Sequence, residues 1–292
     1  MKEILLSIII PTYNRPQLLS EAVNSALAQT IDDFEVIVVD DCSSRPINLP
    51  EHPRLRTIRL EQNQGGAAAR NIGVEAARGK WITFLDDDDL LLPDMAQISL
   101  TRLQQKTELP KPIAVVSGIE AIDRQGRSLQ TRLPPTLPKG SHYGLEPIPS
   151  SQSFYTKQTL VVEKEVYQSI GGFDESFPSR IHSELFIRLN LACSIIGIPQ
   201  VTYQLLEHDR FRVSTDPTRR QVSFQRLIDK HREIYQAHPR SYADAIFNQA
   251  IVSYKIGQTK AAAKNLAWAM KINPVHTLAR LGSPLKQSLL KS

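Results

Sequence analysis

The stretch 81-WITFLDDDDLLLPD-94 is the most informative segment of this chain about its fold. Residues Trp81 to Leu85 are rich in aromatic and β-branched side chains, as in a strand covered on both faces. Four consecutive aspartates, Asp86–Asp89, follow directly. Carboxylates that share a site repel each other and raise one another's pKa values. The pattern therefore predicts either that these charges fan out into water or that a cation lies among them.

The chain before this stretch alternates between buried strands and helices. A helix over 14–29 is predicted to have Asn14 as its cap and Pro16 in its first turn. Gly65 and Gly66 open a second helix over 67–77. Strands are predicted over 5–10, 34–39, 55–60 and 81–85. This order predicts an α/β fold with a doubly wound, mostly parallel sheet.

Polar and acidic side chains follow the predicted strands at their carboxyl ends, where such sheets bind ligands. Mg²⁺ and Mn²⁺ take one or two carboxylates and complete their coordination with water and phosphate oxygens. A helix N-terminus and an arginine suit phosphate charge. The edge therefore predicts a site for a nucleotide diphosphate and a divalent cation, Mn²⁺ or Mg²⁺. Its residues are Pro11, Thr12, Tyr13, Asp40, Asp41, Gly65, Gly66, Arg70 and Asp86–Asp89.

Some of these residues also have purely structural interpretations. Asp40 is better explained as a cap at the end of its strand than as a ligand-binding residue. Gly65 and Gly66 could serve only to reverse the chain, and Arg70 could form a surface ion pair.

Composition and charge suggest two parts. The 292 residues, 41% of them apolar, suffice for one large domain and a small one. Residues 210–292 hold 15 Lys and Arg against 4 Asp and Glu, and no acidic residue follows Asp244, whereas the preceding residues are net acidic. We therefore expect a domain over 1–215 and a basic helical region over 216–292.

The expected compartment is the cytoplasm. Cys42 and Cys193 form no CxxC motif or disulfide framework. No apolar run approaches 18 residues, and the N-terminus lacks the pattern of a signal peptide.

Five motifs in order resemble the family 2 glycosyltransferases, the inverting enzymes of the GT-A fold. They are SIIIPTYNR, EVIVVDDCS, GGAAARNIG, FLDDDD and GGFDES, and the resemblance covers about residues 4–215. It implies a GT-A nucleotide-diphospho-sugar transferase fold. The implied reaction is a single displacement at the anomeric carbon, from a nucleotide-sugar donor to a hydroxyl acceptor. A UDP-sugar is the commonest donor.

The resemblance also implies roles for individual residues. Asp41 would read the nucleotide base, while Pro11, Thr12 and Tyr13 would form the floor of the nucleotide pocket. Arg70 would contact the base or the diphosphate, with Gly66 beside it. Asp88 would bind the metal, and Asp86 would lie near the ribose or a metal-bound water; Asp87 and Asp89 fill variable positions of the motif. His208 would touch the metal or phosphate, although an exposed loop histidine is an equal alternative.

The position of the catalytic base departs from the family pattern. After GGFDE the family usually has a Glu-Asp pair, whose Asp is the base, whereas this chain reads 180-RIHSELFIRL-189. The alignment places His182 at the base position, and an unperturbed pKa of about 6.5 leaves histidine mostly neutral at pH 7. Glu184 is the rival, although its spacing from Arg188 suits a helical ion pair. The third possibility is that no conventional base is present.

The remaining segments indicate partners. The irregular stretch over 124–159 is expected to be an acceptor-side loop, and the acceptor to be a glycan or lipid-linked hydroxyl. Residues 248–274 resemble one tetratricopeptide-like helix pair, which cannot bury its own apolar face. The basic tail suits an anionic membrane surface, or equally a solvated face of a docked helix. No nucleic-acid motif accompanies the charge.

Two classes of function remain open. The first is a metal-dependent inverting glycosyltransferase acting in polysaccharide, glycolipid or cell-surface glycan assembly. The second is a catalytically degenerate descendant that binds a nucleotide sugar or scaffolds a partner. The acidic motif and Arg70 favour the enzyme, because metal ligands usually erode together with the base.

Overall fold

The computed structural model describes residues 4–123, 125–207 and 216–282. The chain forms two compact units. The first consists of Met1–Gly144, Ile148–Phe177 and Ile181–Arg210, and the second consists of Leu145–Pro147, Pro178–Arg180 and Phe211–Ser292.

The first unit is built on a mixed sheet that has nine strands within the described residues. The strands are β1 (Leu6–Thr12), β2 (Phe34–Asp40), β3 (Leu55–Arg59), β4 (Trp81–Phe84), β5 (Leu90–Leu91), β6 (Ile113–Ile122), β7 (Ser128–Arg132), β8 (Leu160–Glu163) and β9 (Ser194–Leu206). Their order is β3-β2-β1-β4-β8-β6-β9-β5, with β7 paired to β6. Strands β1 to β4 are mutually parallel, and so are β6 and β9, whereas β5, β7 and β8 pair antiparallel.

Helices connect these strands. They are α1 (Pro16–Leu27), α2 (Gly66–Ala76), α3 (Met95–Gln104), α4 (Lys164–Ser169) and α5 (Ile181–Ala192), with a 3-10 helix over Phe154–Thr159. The expected α/β class is therefore confirmed, and so are the strands and helices predicted up to residue 85, with boundaries shifted by only a few residues. Strand β5 and helix α3 were not predicted.

Apolar clusters cover both faces of the sheet, which explains why its central strands are apolar throughout. Ile9 of β1 packs in the same cluster as α2, whereas Ile8 and Ile10 pack in the cluster that contains α1. Successive strand residues point to opposite faces, so a strand buried on both sides needs an apolar residue at every position. Gly73 lets α2 approach β1 closely, because a Cβ there would lie 2.4 Å from Cγ2 of Ile9.

Two local expectations were wrong. Asn14 does not cap α1: Arg15 occupies the N-cap position without a capping hydrogen bond, and Asn14 instead has a φ of 57° and accepts from the Ser44 amide. The segment over 124–159 is not irregular throughout, because it contains β7 and the 3-10 helix. The sequence of β7, SLQTR, alternates little between polar and apolar residues, so it gives only a weak indication of a strand. Among the described residues this strand pairs with β6.

The second unit is helical. Its helices are α6 (Pro217–Lys230), α7 (Arg232–Ala237), α8 (Pro239–Lys255), α9 (Thr259–Ile272) and α10 (Pro274–Gly282). Tyr242 packs against both Tyr235 and Trp268, at ring-centroid distances of 5.4 and 5.8 Å. Within the described ranges, no helix has the length and apolar character needed to cross a lipid bilayer.

Glu35 lies at the end of the sheet opposite the acidic motif, and its charge is expected to stabilise the fold in a pH-dependent way. Its buried carboxylate accepts from the Ser7 hydroxyl, the Arg78 amide and the Arg56 guanidinium. Burial alone would raise the pKa of Glu35, but these hydrogen bonds and charges lower it below the ordinary value of 4.5. The stabilisation is therefore present above pH 4.5 and is lost as the pH falls through the folded-state pKa.

Replacing Glu35 by glutamine is expected to reduce the free energy of unfolding at pH 7 by about 1–3 kcal/mol. Urea titrations over a range of acidic pH should show this difference shrinking as the pH falls. The exposed Glu51→Gln exchange is the matched control. A pH-independent difference would show that the Glu35 charge contributes nothing.

Candidate functional site

The carboxyl ends of β1, β2 and β4 bring the predicted site residues to one edge of the sheet. These strands are parallel neighbours, so their ends meet. The Thr12 hydroxyl at the end of β1 donates to Oδ2 of Asp87 at 2.7 Å. A pair of residues 75 positions apart in sequence thus joins the first motif to the acidic one.

Three carboxylates of the acidic motif form a cluster. Asp86, Asp88 and Asp89 each place a carboxylate oxygen within 4.8 Å of the others. Asp89, which fills a variable position of the acidic motif, is fixed by the Tyr203 hydroxyl at 2.9 Å and the Leu206 amide at 3.1 Å. Strand β9 therefore positions one of the three acids.

Two arginines face these acids. Nη1 of Arg15 lies 3.0 Å from Oδ1 of Asp87 and 2.9 Å from Oδ2 of Asp88. Arg70 pairs with Asp86. Burial raises the pKa of Asp87, although the Thr12 hydrogen bond and the Arg15 charge act in the opposite direction. The four aspartates do not simply fan out into water, since only Asp86 is appreciably exposed.

Arg70 is held by the first turn of α2. Its Nη1 donates to the Gly66 carbonyl at 2.8 Å, and a Cβ at Gly66 would lie only 2.9 Å from the same atom. Glycine at this position therefore leaves room for the guanidinium. Among the described residues none accepts a hydrogen bond from the buried Nε of Arg70. This leaves a positive group with a donor available at the sheet edge.

Asp41 anchors the loop that leads into α2. Its carboxylate accepts from the Gln64 amide at 2.7 Å, the Gly65 amide at 2.8 Å and the Asn63 side chain at 3.0 Å. The neighbouring Asp40 pairs with Arg59 at 2.6 Å. Asp40 thus has the structural role that its sequence context favours, and Asp41 has a structural role beside any ligand contact.

Pro11 and Tyr13 flank Thr12 but differ in exposure. Pro11 is buried within β1, whereas Tyr13 lies just beyond the strand and is 48% exposed. An exposed aromatic ring beside the acidic motif offers a flat surface for an aromatic or sugar ring.

His182 lies in the first turn of α5, near the same edge. Its ring meets that of Phe173 edge-on, with the centroids 5.1 Å apart. Burial, and then the positive charge of Arg70, lowers the pKa of His182 to about 3. The imidazole is therefore neutral at pH 7, but it is a much weaker base than an unperturbed histidine.

Glu184 has the helical ion pair that its spacing suggests. Oε1 of this fully buried carboxylate accepts from Nε of Arg188 at 2.8 Å, and Oε2 accepts from Nη2. Arg188 also donates to the Gly172 carbonyl at 2.7 Å. This pair ties α5 to the GGFDES loop.

Asn71 fixes the same loop from α2. Its Nδ2 donates to the Phe173 carbonyl at 2.9 Å, and its Oδ1 accepts from the Tyr167 hydroxyl at 2.6 Å. Sequence reasoning missed Asn71 and Arg15 as site residues. Both lie inside the quoted motifs, whereas the contact between Tyr203 and Asp89 depends on the course of β9.

The cluster suits a hard divalent cation. Mg²⁺ and Mn²⁺ prefer carboxylate oxygens, and the three clustered acids supply such ligands close together. His208, the other metal ligand expected from sequence, lies outside the described residues.

Comparisons with known proteins agree with this fold. Residues 7–159 match the family model "Glycosyl transferase family 2". An uncharacterized glycosyltransferase of Haemophilus influenzae is 31% identical over 237 residues, which cover 79% of this chain and 77% of that protein. The succinoglycan biosynthesis protein ExoO of Rhizobium meliloti is 37% identical over 127 residues, covering 42% of this chain and 35% of ExoO.

A solved structure shows the same fold. The crystal structure of S. aureus TarS 1-349 in complex with UDP-GlcNAc aligns with a TM-score of 0.57 and 18% identity, covering 97% of this chain and 78% of that one. The family model and the Haemophilus relative together establish that the chain belongs to glycosyl transferase family 2 and is a glycosyltransferase.

Proposed function

We propose that the protein transfers a sugar from a nucleoside-diphosphate donor, a UDP-sugar, to a hydroxyl of a glycan or lipid-linked acceptor, with inversion at the anomeric carbon. The observation that carries this proposal is the juxtaposition of three clustered carboxylates with the buried, partly unpaired guanidinium of Arg70. A cation held by the acids and a diphosphate facing the arginine satisfy both groups. The UDP-GlcNAc complex of TarS supports UDP, and ExoO, named for succinoglycan biosynthesis, supports a role in polysaccharide assembly.

The donor would be bound along the edge of the sheet. Asp41 would accept from the nucleotide base, and Pro11, Thr12 and Tyr13 would form the pocket floor, with the exposed Tyr13 ring facing the ligand. Gly66 and Arg70 would bind the diphosphate, since Nε of Arg70 has a proton to donate. Asp86 and Asp87 would complete the ribose side, with Asp87 oriented by Thr12.

Asp86 and Asp88 would hold the divalent cation, with Asp89 as a third acid oriented by Tyr203. When bound, such a cation acts as a Lewis acid on the leaving diphosphate. Arg15 contacts Oδ2 of Asp88 in the same carboxylate cluster, so a bound cation would compete with this ion pair.

His182 would accept the proton of the acceptor hydroxyl. It stands at the base position of the family pattern and is neutral because burial lowers its pKa. Glu184 remains the rival assignment by sequence, but both of its oxygens accept from Arg188. The segment over 124–159 would face the acceptor. The free thiols of Cys42 and Cys193 suit the cytoplasm, where nucleotide sugars are made.

The test is a screen of nucleotide sugars, with Mn²⁺ or Mg²⁺ and with hydroxyl acceptors, in which mass spectrometry detects released nucleoside diphosphate and glycosylated product. We expect turnover with one UDP-sugar and loss of that turnover in the presence of EDTA. Cation-dependent binding without hydrolysis or transfer of any donor would favour a catalytically degenerate nucleotide-sugar-binding protein.

A further inference from the structure

Helix α10 has the opposite arrangement of polar and apolar faces from an ordinary surface helix. Its polar side chains face inward: the Thr277 hydroxyl, buried, donates to the Ala269 carbonyl at 3.1 Å, and Nε2 of His276 lies 2.8 Å from Oδ1 of Asp244. Arg280 reaches the same Asp244 oxygen at 2.9 Å. A helix on a protein surface normally buries its apolar residues and exposes its polar ones.

The outward face of α10 carries large apolar side chains. Val275 is 78% exposed, Leu278 is 56% exposed and Leu281 is 40% exposed. Their spacing of three residues places them along one side of the helix, opposite the polar contacts. We call these three residues the α10 stripe. Exposed apolar side chains that share one face of a helix mark candidate interaction sites.

The formal charges of α9 and α10 favour one kind of partner surface. No acidic residue follows Asp244, so α9 and α10 carry only positive formal charges. Lys260, Lys264 and Lys271 of α9 are exposed, and their spacing of four and seven residues places them on one face of that helix. Lys271 precedes Val275 by only four residues. Apolar side chains accompanied by lysines and no carboxylates match an anionic lipid surface.

We propose that the second unit docks on anionic phospholipid through the α10 stripe, with Val275, Leu278 and Leu281 entering the boundary between headgroups and acyl chains. The lysines of α9 bind the headgroup charge. This inference rests on the second unit alone and does not depend on the proposed donor chemistry. It would bring a glycosyltransferase to the surface where lipid-linked acceptors are found.

The experiment measures flotation of the full-length protein with vesicles of phosphatidylcholine alone or mixed with phosphatidylglycerol. The wild type should float only with the anionic vesicles, and binding should weaken as salt is added. Serine at Val275, Leu278 and Leu281 together should reduce the affinity on the order of 100-fold. The matched control places serine at Val222, Leu129 and Leu191, which are 48, 52 and 41% exposed, and should leave binding unchanged.

The lysines are tested separately. Glutamine at Lys260, Lys264 and Lys271 should weaken binding about fivefold for each charge at low salt, whereas arginine at the same positions should preserve it. Failure of the wild type to float with anionic vesicles, or normal flotation of the stripe variant, would overturn the proposal.

A third readout separates lipid from other occupants of the stripe. Thermal unfolding without lipid should be similar for the stripe variant and its matched control. A selective loss of stability in the stripe variant would show that another part of the chain, such as residues 283–292, covers the stripe, and would also overturn lipid docking. Loss of flotation together with unchanged donor turnover in solution would support the proposal.

Discussion

Replacing Asp88 by asparagine is expected to abolish Mn²⁺-dependent binding of a nucleoside diphosphate, lowering the affinity by more than about 100-fold. Asp88 is buried and shares the carboxylate cluster with Asp86 and Asp89. Asparagine keeps the shape of the side chain but removes the negative charge that a divalent cation requires. Calorimetric titration with UDP, with and without Mn²⁺, measures the effect.

Two matched variants separate the charge of Asp88 from its ion pair. Arg15→Gln removes the same pair but leaves the carboxylate, so it should retain or strengthen cation binding. Asp94→Asn removes an exposed acid just beyond the motif and should have no effect. Unchanged Mn²⁺-dependent affinity in Asp88→Asn would remove Asp88 from the site, and equal losses in Asp88→Asn and Arg15→Gln would assign the effect to the ion pair.

Replacing Glu184 is expected to reduce stability, whereas replacing His182 is expected to reduce turnover. Glu184→Gln leaves the Arg188 guanidinium without its buried counter-charge and should reduce the free energy of unfolding by about 3–5 kcal/mol. His182→Ala should reduce turnover by about 100-fold while preserving donor binding. This is the lower end of the range for a positioned base, because a lowered pKa weakens proton abstraction.

The pH dependence provides an independent readout for His182. With a pKa of about 3 in the free protein, His182 should produce no inflection near pH 6.5 in kcat/KM. A bound diphosphate facing Arg70 would offset the charge that lowers this pKa, so any inflection in kcat should lie at higher pH than in the free protein. The expectation from an unperturbed histidine, a rise in rate centred near pH 6.5, therefore does not apply to the free protein.

Urea unfolding and steady-state kinetics of Glu184→Gln and His182→Ala decide which residue is the catalytic base. A stable but inactive Glu184→Gln, combined with near-normal turnover in His182→Ala, would move the base to Glu184. Loss of stability without loss of specific activity in the folded fraction would leave Glu184 as the structural partner of Arg188.

Local patterns in the sequence were sufficient to predict strands β1 to β4 and helices α1 and α2. Residues 6–10 and 34–39 are apolar at nearly every position, because both faces of β1 and β2 are covered. Parallel strands bring their carboxyl ends to one edge, so the meeting of Thr12 and the acidic motif followed from the strand order alone. The five ordered motifs were sufficient for the family.

Local patterns failed where a contact depends on a distant segment. Tyr203 reaches Asp89 across 114 residues, and Asn71 reaches Phe173 across 102. No periodicity predicts such pairs, because they depend on how β9 and the GGFDES loop return to the sheet. Arg15 looked like part of a helix start, and only the tertiary structure places its guanidinium between Asp87 and Asp88.

The burial of His182 and the orientation of α10 also depend on distant segments of the chain. The sequence by itself predicted His182 as the base from the family pattern, and it determined that the tail is basic. The tertiary structure decided that burial and Arg70 lower the pKa of His182, and that α10 turns its apolar side chains outward. The physical reason is that the amphipathic pattern of a helix shows which residues share a face, whereas only the neighbouring elements determine which face is covered.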